Sequence, residues 1–293
     1  MFTQFFGNYL LNSGLVSPEK LSDALGRLSE TKLRLGVLAI NAGIMTAEQV
    51  DKVHAEQQRV DKRIGELMVD MGYATNEQIE KLLKTQPSAH LLLGQTLVND
   101  GVMTNSQFEN ALNSYKKEMG ITDEALNDSD LGDFRPLVDK FYNFDNADNS
   151  SYLTGYIVLL FKNLVRFIGT DFAPLNAQEL YDNISRSCMG QEIRGGVKAL
   201  TLIDADDDSL IEFASRFSGE HLTENDDFTR DCINEFLNLH NGLFAVNLSN
   251  ETGLEIELSP QLVYNDISIE TIKNSHVIPV CFSFGTVNFI ISI

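Results

Sequence analysis

The sequence contains few cysteines, few prolines and few basic residues, and it has no tryptophan. Its 293 residues include three cysteines and six prolines, and 42 Asp and Glu residues against 22 Lys and Arg residues give a formal net charge of -20. Such a charge repels phosphate backbones and anionic lipid headgroups. The composition therefore argues against DNA, RNA or a membrane surface as a main partner.

The cysteines exclude two further kinds of site. Cys188, Cys232 and Cys281 are odd in number and far apart, and no Cys-x-x-Cys pair occurs. This pattern fits neither a disulfide framework nor a zinc site, so we expect buried thiols, a reducing cytoplasmic location and no metal site. Residues 1–11 carry no basic segment, and no apolar run approaches the length of about 18 residues that a membrane helix needs. Neither export nor a membrane span is predicted.

Glycine recurs with a fixed period in the first part of the chain. Two series of four glycines each have a spacing of 29 residues: Gly7, Gly36, Gly65 and Gly94, and then Gly14, Gly43, Gly72 and Gly101. A register kept over four copies indicates an internal repeat. In each unit the first glycine opens a short helix, and the second marks the point where the chain leaves that helix through a left-handed residue.

A second helix follows in each unit. It begins at a serine or threonine that recurs with the same spacing, at Ser17, Thr46, Thr75 and Thr104. In the last three units a glutamine three residues later completes a capping box. Because a pair of short amphipathic helices cannot bury its apolar stripe alone, the four helical hairpins are predicted to pack into an all-α domain over residues 1–117.

The second and third units carry polar residues that packing does not require. Arg34 and Arg63 precede the first glycine, and Gln57 and Gln86 end the second helix, whereas the outer two units lack these residues. Arginine can bond the edge of a guanine or stack on its face, and glutamine offers a donor and an acceptor. Two such sets in tandem suit a ligand with two guanines.

With these motifs, residues 1–117 resemble the MshEN domain, a cyclic-di-GMP-binding module at the N-terminus of some type II secretion and pilus ATPases. The segments 34–57 and 63–86 fit its tandem 24-residue motif and five-residue spacer. The resemblance implies that eight residues contact the dinucleotide: Arg34, Gly36, Gly43, Gln57, Arg63, Gly65, Gly72 and Gln86. The alternative is a helical docking or spacer module of the same ancestry, whose arginines are only solvated.

The remainder of the chain changes class. Residues 118–150 are rich in Asp, Asn and Ser and are predicted to form an acidic linker with a short helix near residues 134–142. Residues 151–293 read as α+β: a long apolar helix, further helices, and extended segments that end in a hairpin around Gly285. The predicted segments are helices 152–168, 208–218 and 226–243 and strands 197–203, 245–248, 254–258, 277–284 and 286–293.

One helix of this part carries the chemical signal. Asp231, Glu235, Asn238 and Gly242 share one face at helical spacing and are predicted to point outward. The opposite face, with Cys232, Phe236, Leu239 and Leu243, is predicted to pack into the core. From spacing alone, a carboxylate and a carboxamide three residues apart are most simply a solvated helix face.

This motif resembles that of the CheC, CheX and FliY chemotaxis phosphatases, which remove phosphate from the aspartyl-phosphate of the response regulator CheY. In that family an Asp or Ser, a Glu and an Asn have the spacing of Asp231, Glu235 and Asn238, and a proline follows near the position of Pro260. The single motif implies a CheX-like α/β sandwich with an antiparallel sheet, and a homodimer. Asn238 is then the candidate that orients the attacking water, and Glu235 the candidate that pairs with a lysine of the receiver.

The two resemblances together imply a CheY-type aspartyl-phosphate phosphatase coupled to a cyclic-di-GMP sensor. No intrinsic cofactor is expected, because the receiver domain brings its own magnesium. Two alternatives stay open: a non-enzymatic adaptor that docks on a receiver or a motility complex, and a dimerising scaffold whose repeats bind no ligand.

Overall fold

The computed structural model describes residues 2–85, 88–120, 135–142, 144, 150–176, 188–264 and 275–293. The chain divides into two compact units, residues 2–132 and residues 133–293. None of the described helices combines the length and the apolar character that a membrane span requires.

The described part of the N-terminal unit is all helical. Its helices are α1 (Phe2–Asn12), α2 (Pro18–Gly26), α3 (Leu35–Asn41), α4 (Ala47–Gln57), α5 (Ile64–Asp70), α6 (Asn76–Leu83), α7 (Ala89–Asn99) and α8 (Asn105–Met119). The helix starts predicted at Ser17, Thr46, Thr75 and Thr104 are confirmed, because each of these side chains accepts a hydrogen bond from the backbone amide three residues later. The capping box predicted for α4, α6 and α8 is present in all three.

The two glycine series have different structural reasons. Gly43, after α3, has a φ of 64°, and the equivalent glycines of the other units have φ between 66° and 74°. This left-handed conformation costs other residues free energy, so it selects glycine. Gly36 lies at a helix crossing, where a Cβ atom would come within 2.6 Å of Val50 Cγ1. At Gly36 the reason is close packing of α3 against α4.

The C-terminal unit combines helices with one antiparallel sheet. Its helices are α9 (Arg135–Tyr142), α10 (Ser150–Phe167), α11 (Asp207–Ser218) and α12 (Asp227–Thr252). Its strands are β1 (Phe172–Pro174), β2 (Cys188–Gly195), β3 (Ala199–Asp204), β4 (Ile256–Leu258), β5 (Leu262–Tyr264), β6 (Ser275–Phe282) and β7 (Gly285–Ser292). Helix α9 packs on α10 and lies within residues 118–150, which the sequence assigned to the linker.

In the sheet the strand order is β1-β6-β7-β3-β2-β4, and β5 also pairs with β2. Strands β4 and β5 share one edge of β2: β4 pairs with residues 193–195 and β5 with residues 188–190. Helix α12 packs along β2, β3 and β4, while α10 and α11 pack against α12. Aromatic side chains of α11, α12 and the β6–β7 hairpin meet in the core, among them Phe213, Phe236, Phe282 and Phe289.

Helix α12 is longer than the sequence indicated. The strand predicted for Ala245–Leu248 is wrong, since the helix continues to Thr252. Phe244, Ala245 and Leu248 are buried on the core side of the helix, and this stripe continues the helical period across Gly242. The predicted hairpin around Gly285 is confirmed by the pairing of β6 with β7.

Candidate functional site

Helix α12 positions the predicted catalytic residues. The Asp226 side chain caps its N-terminus by accepting a hydrogen bond from the Thr229 amide, and Gly253 ends the helix in a left-handed conformation. Because the helix packs along β2, residues on the side facing that strand can contact the sheet. The orientation of the motif is therefore fixed by a capped, 26-residue helix on a sheet.

The two carboxylates of the motif point into solvent, as predicted. Asp231 and Glu235 are exposed, and neither side chain has a hydrogen bond or an ion pair with another described residue. An exposed carboxylate without an internal partner has lost no hydration and is free to pair with a cation of another molecule. Glu235 therefore meets the physical requirement for a contact residue.

The predicted outward orientation of Asn238 is only partly right. Asn238 is half-buried, and its Oδ1 accepts a hydrogen bond of 2.9 Å from Gln191 Nε2 on β2. Its Nδ2 has no partner among the described residues. Asn238 thus lies on the flank of the helix, with one end of its amide held by the sheet and the other end available.

Gln191 belongs to a buried network of side chains. Its Nε2 also donates to the backbone oxygen of Ser259, at 2.9 Å. Its Oε1 accepts from Asn241 Nδ2 at 2.9 Å, and the same Nδ2 donates to Thr201 Oγ1 at 2.8 Å. Thr201 in turn donates to the backbone oxygen of Gln191. Gln191 is thus tied directly to a backbone oxygen, and Asn238 and Asn241 are both tied to Gln191.

The network extends to α10. Tyr156 donates from its hydroxyl to Asn241 Oδ1 at 3.1 Å, and burial raises the pKa of this phenol. Beside it, Asn163 Nδ2 lies 3.0 Å from Nδ1 of His240, whose pKa burial lowers to about 3. His240 is therefore neutral near pH 7, and the core between α10 and α12 carries no charge at these positions.

The edge of the sheet is interrupted beside the network. The predicted Pro260 follows Ser259, which lies between β4 and β5, and at this break Ser259 Oγ accepts from the amide of Glu192. Proline lacks an N–H and cannot continue a strand ladder. The break leaves the Ser259 oxygen available to Gln191, which brings the Pro260 segment to the flank of Asn238.

Apolar side chains follow the exposed Glu235 carboxylate along α12. Leu239, one turn after Glu235, is half-buried, although it was predicted to be in the core. Leu243 was also predicted to be in the core and is 39% exposed, and Val246 is 57% exposed. An apolar surface next to a free carboxylate is typical of protein–protein contacts.

The N-terminal unit brings several predicted ligand residues together. Arg34 and Arg63 are exposed at the starts of α3 and α5, and neither side chain has an ion-pair partner among the described residues. The two starts are neighbours, because a Cβ atom on Gly65 would lie 3.3 Å from Leu35 Cδ2. Gln57 donates to the backbone oxygen of Lys62, the residue before Arg63.

The other predicted ligand residues of this unit are glycines with structural roles, or lie outside the described residues. Gly36 is buried at the α3–α4 crossing, and Gly65 lies against Ile79 and Leu35. Gly43 and Gly72 are exposed and left-handed, and Gln86 lies outside the described residues. His54, which occupies a position where the motif has an apolar residue, has its pKa lowered by burial and by the charge of Arg34.

No group of three or more His, Cys, Asp or Glu side chains within the described ranges is arranged to hold a metal ion. All three cysteines are buried and unpaired, as predicted. Burial raises the pKa of Cys281 to about 11 and that of Cys188 to about 12, so both thiols are protonated near pH 7.

No protein-family model matches this chain, and no curated protein matches it. About half of the chain is similar to solved CheX and CheC-like chemotaxis structures. A chain of the CheX–CheY–BeF3–Mg complex from Borrelia burgdorferi is 16% identical, with a TM-score of 0.41, and the match covers 48% of this chain and 96% of that one.

Two further structures give similar values. CheX from Vibrio vulnificus is 17% identical, with a TM-score of 0.41 and coverage of 48% of this chain and 98% of that one. A CheC-like superfamily protein from Shewanella sp. PV-4 is 18% identical, with a TM-score of 0.41 and coverage of 48% and 95%. At these identities and TM-scores the likeness assigns no role to any residue of this chain.

Proposed function

We propose that the C-terminal unit hydrolyses the aspartyl-phosphate of a CheY-type receiver domain. The observation that carries the proposal is the pair on α12: an exposed Glu235 without a partner and, three residues later, Asn238 with one end of its amide held by β2. A solvated helix face would leave both side chains free, whereas here the amide alone is fixed. Fixing a polar group in advance is what orientation of a reactant requires.

An aspartyl-phosphate needs little chemistry from a second protein. It is already activated, and the receiver supplies the magnesium ion that neutralises the phosphoryl charge. The oxygen of one water forms a new bond to phosphorus while the bond between phosphorus and the carboxyl oxygen breaks. The receiver's carboxylate leaves with the electron pair, and the water's proton passes to solvent. Asn238 accepts no proton and only aligns the water.

The amide of Asn238 suits this alignment. A carboxamide oxygen has two lone pairs, so Oδ1 can accept from water while it accepts from Gln191. The unpaired Nδ2 can donate to a phosphoryl oxygen on the same side. The amide oxygen would thus hold the attacking water and the amide nitrogen the phosphoryl group, with the water in line with the bond that breaks.

Glu235 is proposed to hold the receiver in place. Its carboxylate is free to form a charge-assisted hydrogen bond with a lysine of the receiver. The exposed Leu243 and Val246 on the same helix would add apolar contact area. Docking by these residues and water alignment by Asn238 are separate tasks, so substitutions can separate them.

The test is phosphate release from a panel of CheY-type receivers phosphorylated with acetyl phosphate in the presence of magnesium. Asn238→Ala is expected to lower kcat by about a hundredfold, because it removes water alignment, and to leave binding of a beryllofluoride-loaded receiver unchanged. Glu235→Ala is expected to weaken that binding and raise KM. Asn247→Ala, an exposed amide on the same helix, is the matched control and is expected to change neither.

The adaptor hypothesis predicts a different result. An adaptor binds the loaded receiver, but wild type does not speed phosphate release and Asn238→Ala has no effect. If wild type releases no phosphate above the buffer rate from any receiver that it binds, the phosphatase proposal is wrong and the adaptor is the better account.

We propose further that the N-terminal unit binds cyclic-di-GMP and regulates the phosphatase. The supporting observation is that two exposed arginines, Arg34 and Arg63, stand at neighbouring helix starts without ion-pair partners among the described residues, in a chain of net charge -20. In such a chain, two unpaired guanidinium groups suit a small anionic ligand with bases to stack on. Close helix packing accounts for Gly36, and a left-handed backbone accounts for Gly43, so neither glycine requires a ligand to explain it. The proposal therefore rests on the two arginines and Gln57.

Isothermal titration calorimetry with cyclic-di-GMP tests this second proposal. Wild type is expected to release heat on binding, and the double variant Arg34→Ala with Arg63→Ala is expected to give none. Arg27→Ala with Arg59→Ala removes the same charge elsewhere in the unit and is the control, expected to bind like wild type. Absence of heat with wild type would leave the repeats as a scaffold or docking module.

A further inference from the structure

The proposed role of Asn238 depends on which way its amide is turned. An amide oxygen only accepts and an amide nitrogen only donates, so the two orientations present opposite groups to solvent. When an amide side chain is solvated on a helix surface, neither of its two orientations is fixed by the protein. In this protein the bond from Gln191 Nε2 to Asn238 Oδ1 makes the choice, provided that Gln191 is itself fixed.

Two backbone carbonyls fix Gln191. Its Nε2 also donates to the carbonyl oxygen of Ser259, which can only accept. At the other end, Thr201 donates its proton to the backbone oxygen of Gln191 and must therefore accept from Asn241 Nδ2. Asn241 is thereby oriented with its nitrogen toward Gln191, so Gln191 Oε1 is the acceptor there.

The hydroxyl of Tyr156 agrees with this orientation. It donates to Asn241 Oδ1, and since burial raises its pKa, the phenol keeps its proton. Gln191 and Asn241 are both almost fully buried, at 1% and 0% exposure, so water does not compete for their hydrogen bonds. Each amide in the chain from the core to Asn238 therefore has one permitted orientation.

We infer that Gln191 is a positioning residue, which through its link to the Ser259 carbonyl and Asn241 holds the Asn238 amide with Oδ1 at the sheet edge, where its second lone pair can accept from the attacking water, and with Nδ2 toward the receiver. This inference rests on the proposed function for its catalytic consequence. Its structural part, the fixed amide, stands on the hydrogen bonds alone. The role is confined to orientation, since Gln191 is buried and reaches the receiver only through Asn238.

The test replaces Gln191 by methionine, which keeps the length of the side chain and removes both ends of the amide. Gln191→Met is expected to lower kcat for phosphate release by about tenfold to a hundredfold with KM for the receiver within about twofold, because the misplaced amide still permits docking. The control is Asn163→Leu, which breaks another buried amide contact to α12, that with His240. Asn163→Leu is expected to lower the melting temperature about as much as Gln191→Met does, and to leave kcat unchanged.

A second readout does not depend on activity. The side-chain amide signal of Asn238, assigned by its disappearance in Asn238→Ala, is expected to show a rigid nitrogen in wild type and in Asn163→Leu, and a mobile one in Gln191→Met by NMR relaxation. A rigid Asn238 amide in Gln191→Met, or a kcat equal to that of wild type, would overturn the inference. If wild type releases no phosphate but the amide signal behaves as expected, the proposed function fails and the positioning stands.

A variant that does not fold would not end the test. Thr201→Val keeps the shape of a strand residue and removes the hydroxyl that fixes Asn241. If Gln191→Met does not fold, Thr201→Val takes its place in both measurements. The same loss of amide rigidity and a reduction of kcat by a few fold are expected, and unchanged values would overturn the inference.

Discussion

At the scale of single residues, the central observation is that buried polar groups around α12 are held neutral and in one orientation. Tyr156, Asn241 and Gln191 are hydrogen-bonded to one another without any charged partner. His240 lies next to this network and is neutral because protonation in a fully buried position is costly. The neutrality of His240 has a consequence for stability that can be measured.

Acidification is expected to destabilise the C-terminal unit through His240. Its pKa in the folded protein is about 3 against an ordinary value of 6.5, so between these values the unfolded chain binds more protons than the folded one. The free energy of unfolding therefore decreases as the pH is lowered. The loss is about 1.4 kcal/mol for each pH unit below about 6.5. Urea unfolding from about pH 7 to about pH 5 measures it, with His240→Gln as the reference. Parallel pH dependences of wild type and His240→Gln would contradict this account.

At the scale of elements, the paired helices of the N-terminal unit depend on glycines whose surroundings differ. At Gly36 a Cβ atom would clash with Val50 Cγ1 at 2.6 Å, and valine is stiff at χ1. At Gly65 the nearest atoms, on Ile79 and Leu35, lie at 3.2 and 3.3 Å. The same position of the repeat is therefore packed more tightly in the second unit than in the third.

Alanine substitutions measure this difference. Gly36→Ala is expected to destabilise the protein by about 1–3 kcal/mol, because the helix crossing must open. Gly65→Ala is expected to change stability by less than about 1 kcal/mol, since the better helix propensity of alanine offsets a small adjustment. Thermal denaturation of the two variants is the measurement, and Gly155→Ala, where no atom lies within 4 Å, is the control. Equal losses at Gly36 and Gly65 would refute the packing argument.

These elements also show what the sequence could predict. The start of the second helix of each unit could be predicted because a Ser or Thr cap and its glutamine are local signals, and Gly285 marked the hairpin in the same way. The prediction that Gly7 and Gly94 open the first helices of their units is wrong, since α1 and α7 begin five residues earlier, at Phe2 and Ala89. The end of α12 was missed because Gly242 resembles a helix stop, while the apolar stripe that continues past it is buried by residues far away in the sequence, such as Tyr156 of α10 against Phe244. Tertiary packing, not local propensity, sets that boundary.

The candidate site likewise contains some residues that the sequence indicated and others that only the structure reveals. Glu235 and Asn238 became candidates because their spacing resembles a family motif, but Gln191 did not, because it lies 47 residues before Asn238 and nothing in β2 marks it. Asn241 carried a weak signal, since it follows Asn238 at the same interval at which Asn238 follows Glu235. A long-range hydrogen bond becomes visible only when the strand pairing is known.

At the scale of the whole molecule, the chain combines two units that differ in fold and in proposed task. In the C-terminal unit the described strands form one antiparallel sheet with helices packed on it. In the N-terminal unit the described residues form helices and no strands. Homodimer formation, which the motif resemblance implies, stays a prediction that sedimentation velocity can check. Regulation of one unit by the other is likewise proposed, and its sign is read from the same kinetic assay with cyclic-di-GMP added.

The central claim is that this chain removes phosphate from a receiver by means of Asn238. The most direct measurement follows the loss of radiolabelled phosphate from a magnesium-bound CheY-type receiver at saturating wild type, Asn238→Ala or Asn247→Ala. The account predicts rapid loss with wild type and Asn247→Ala, and loss at the receiver's own rate with Asn238→Ala. Equal rates for wild type and Asn238→Ala, at concentrations where both bind the receiver, would contradict it.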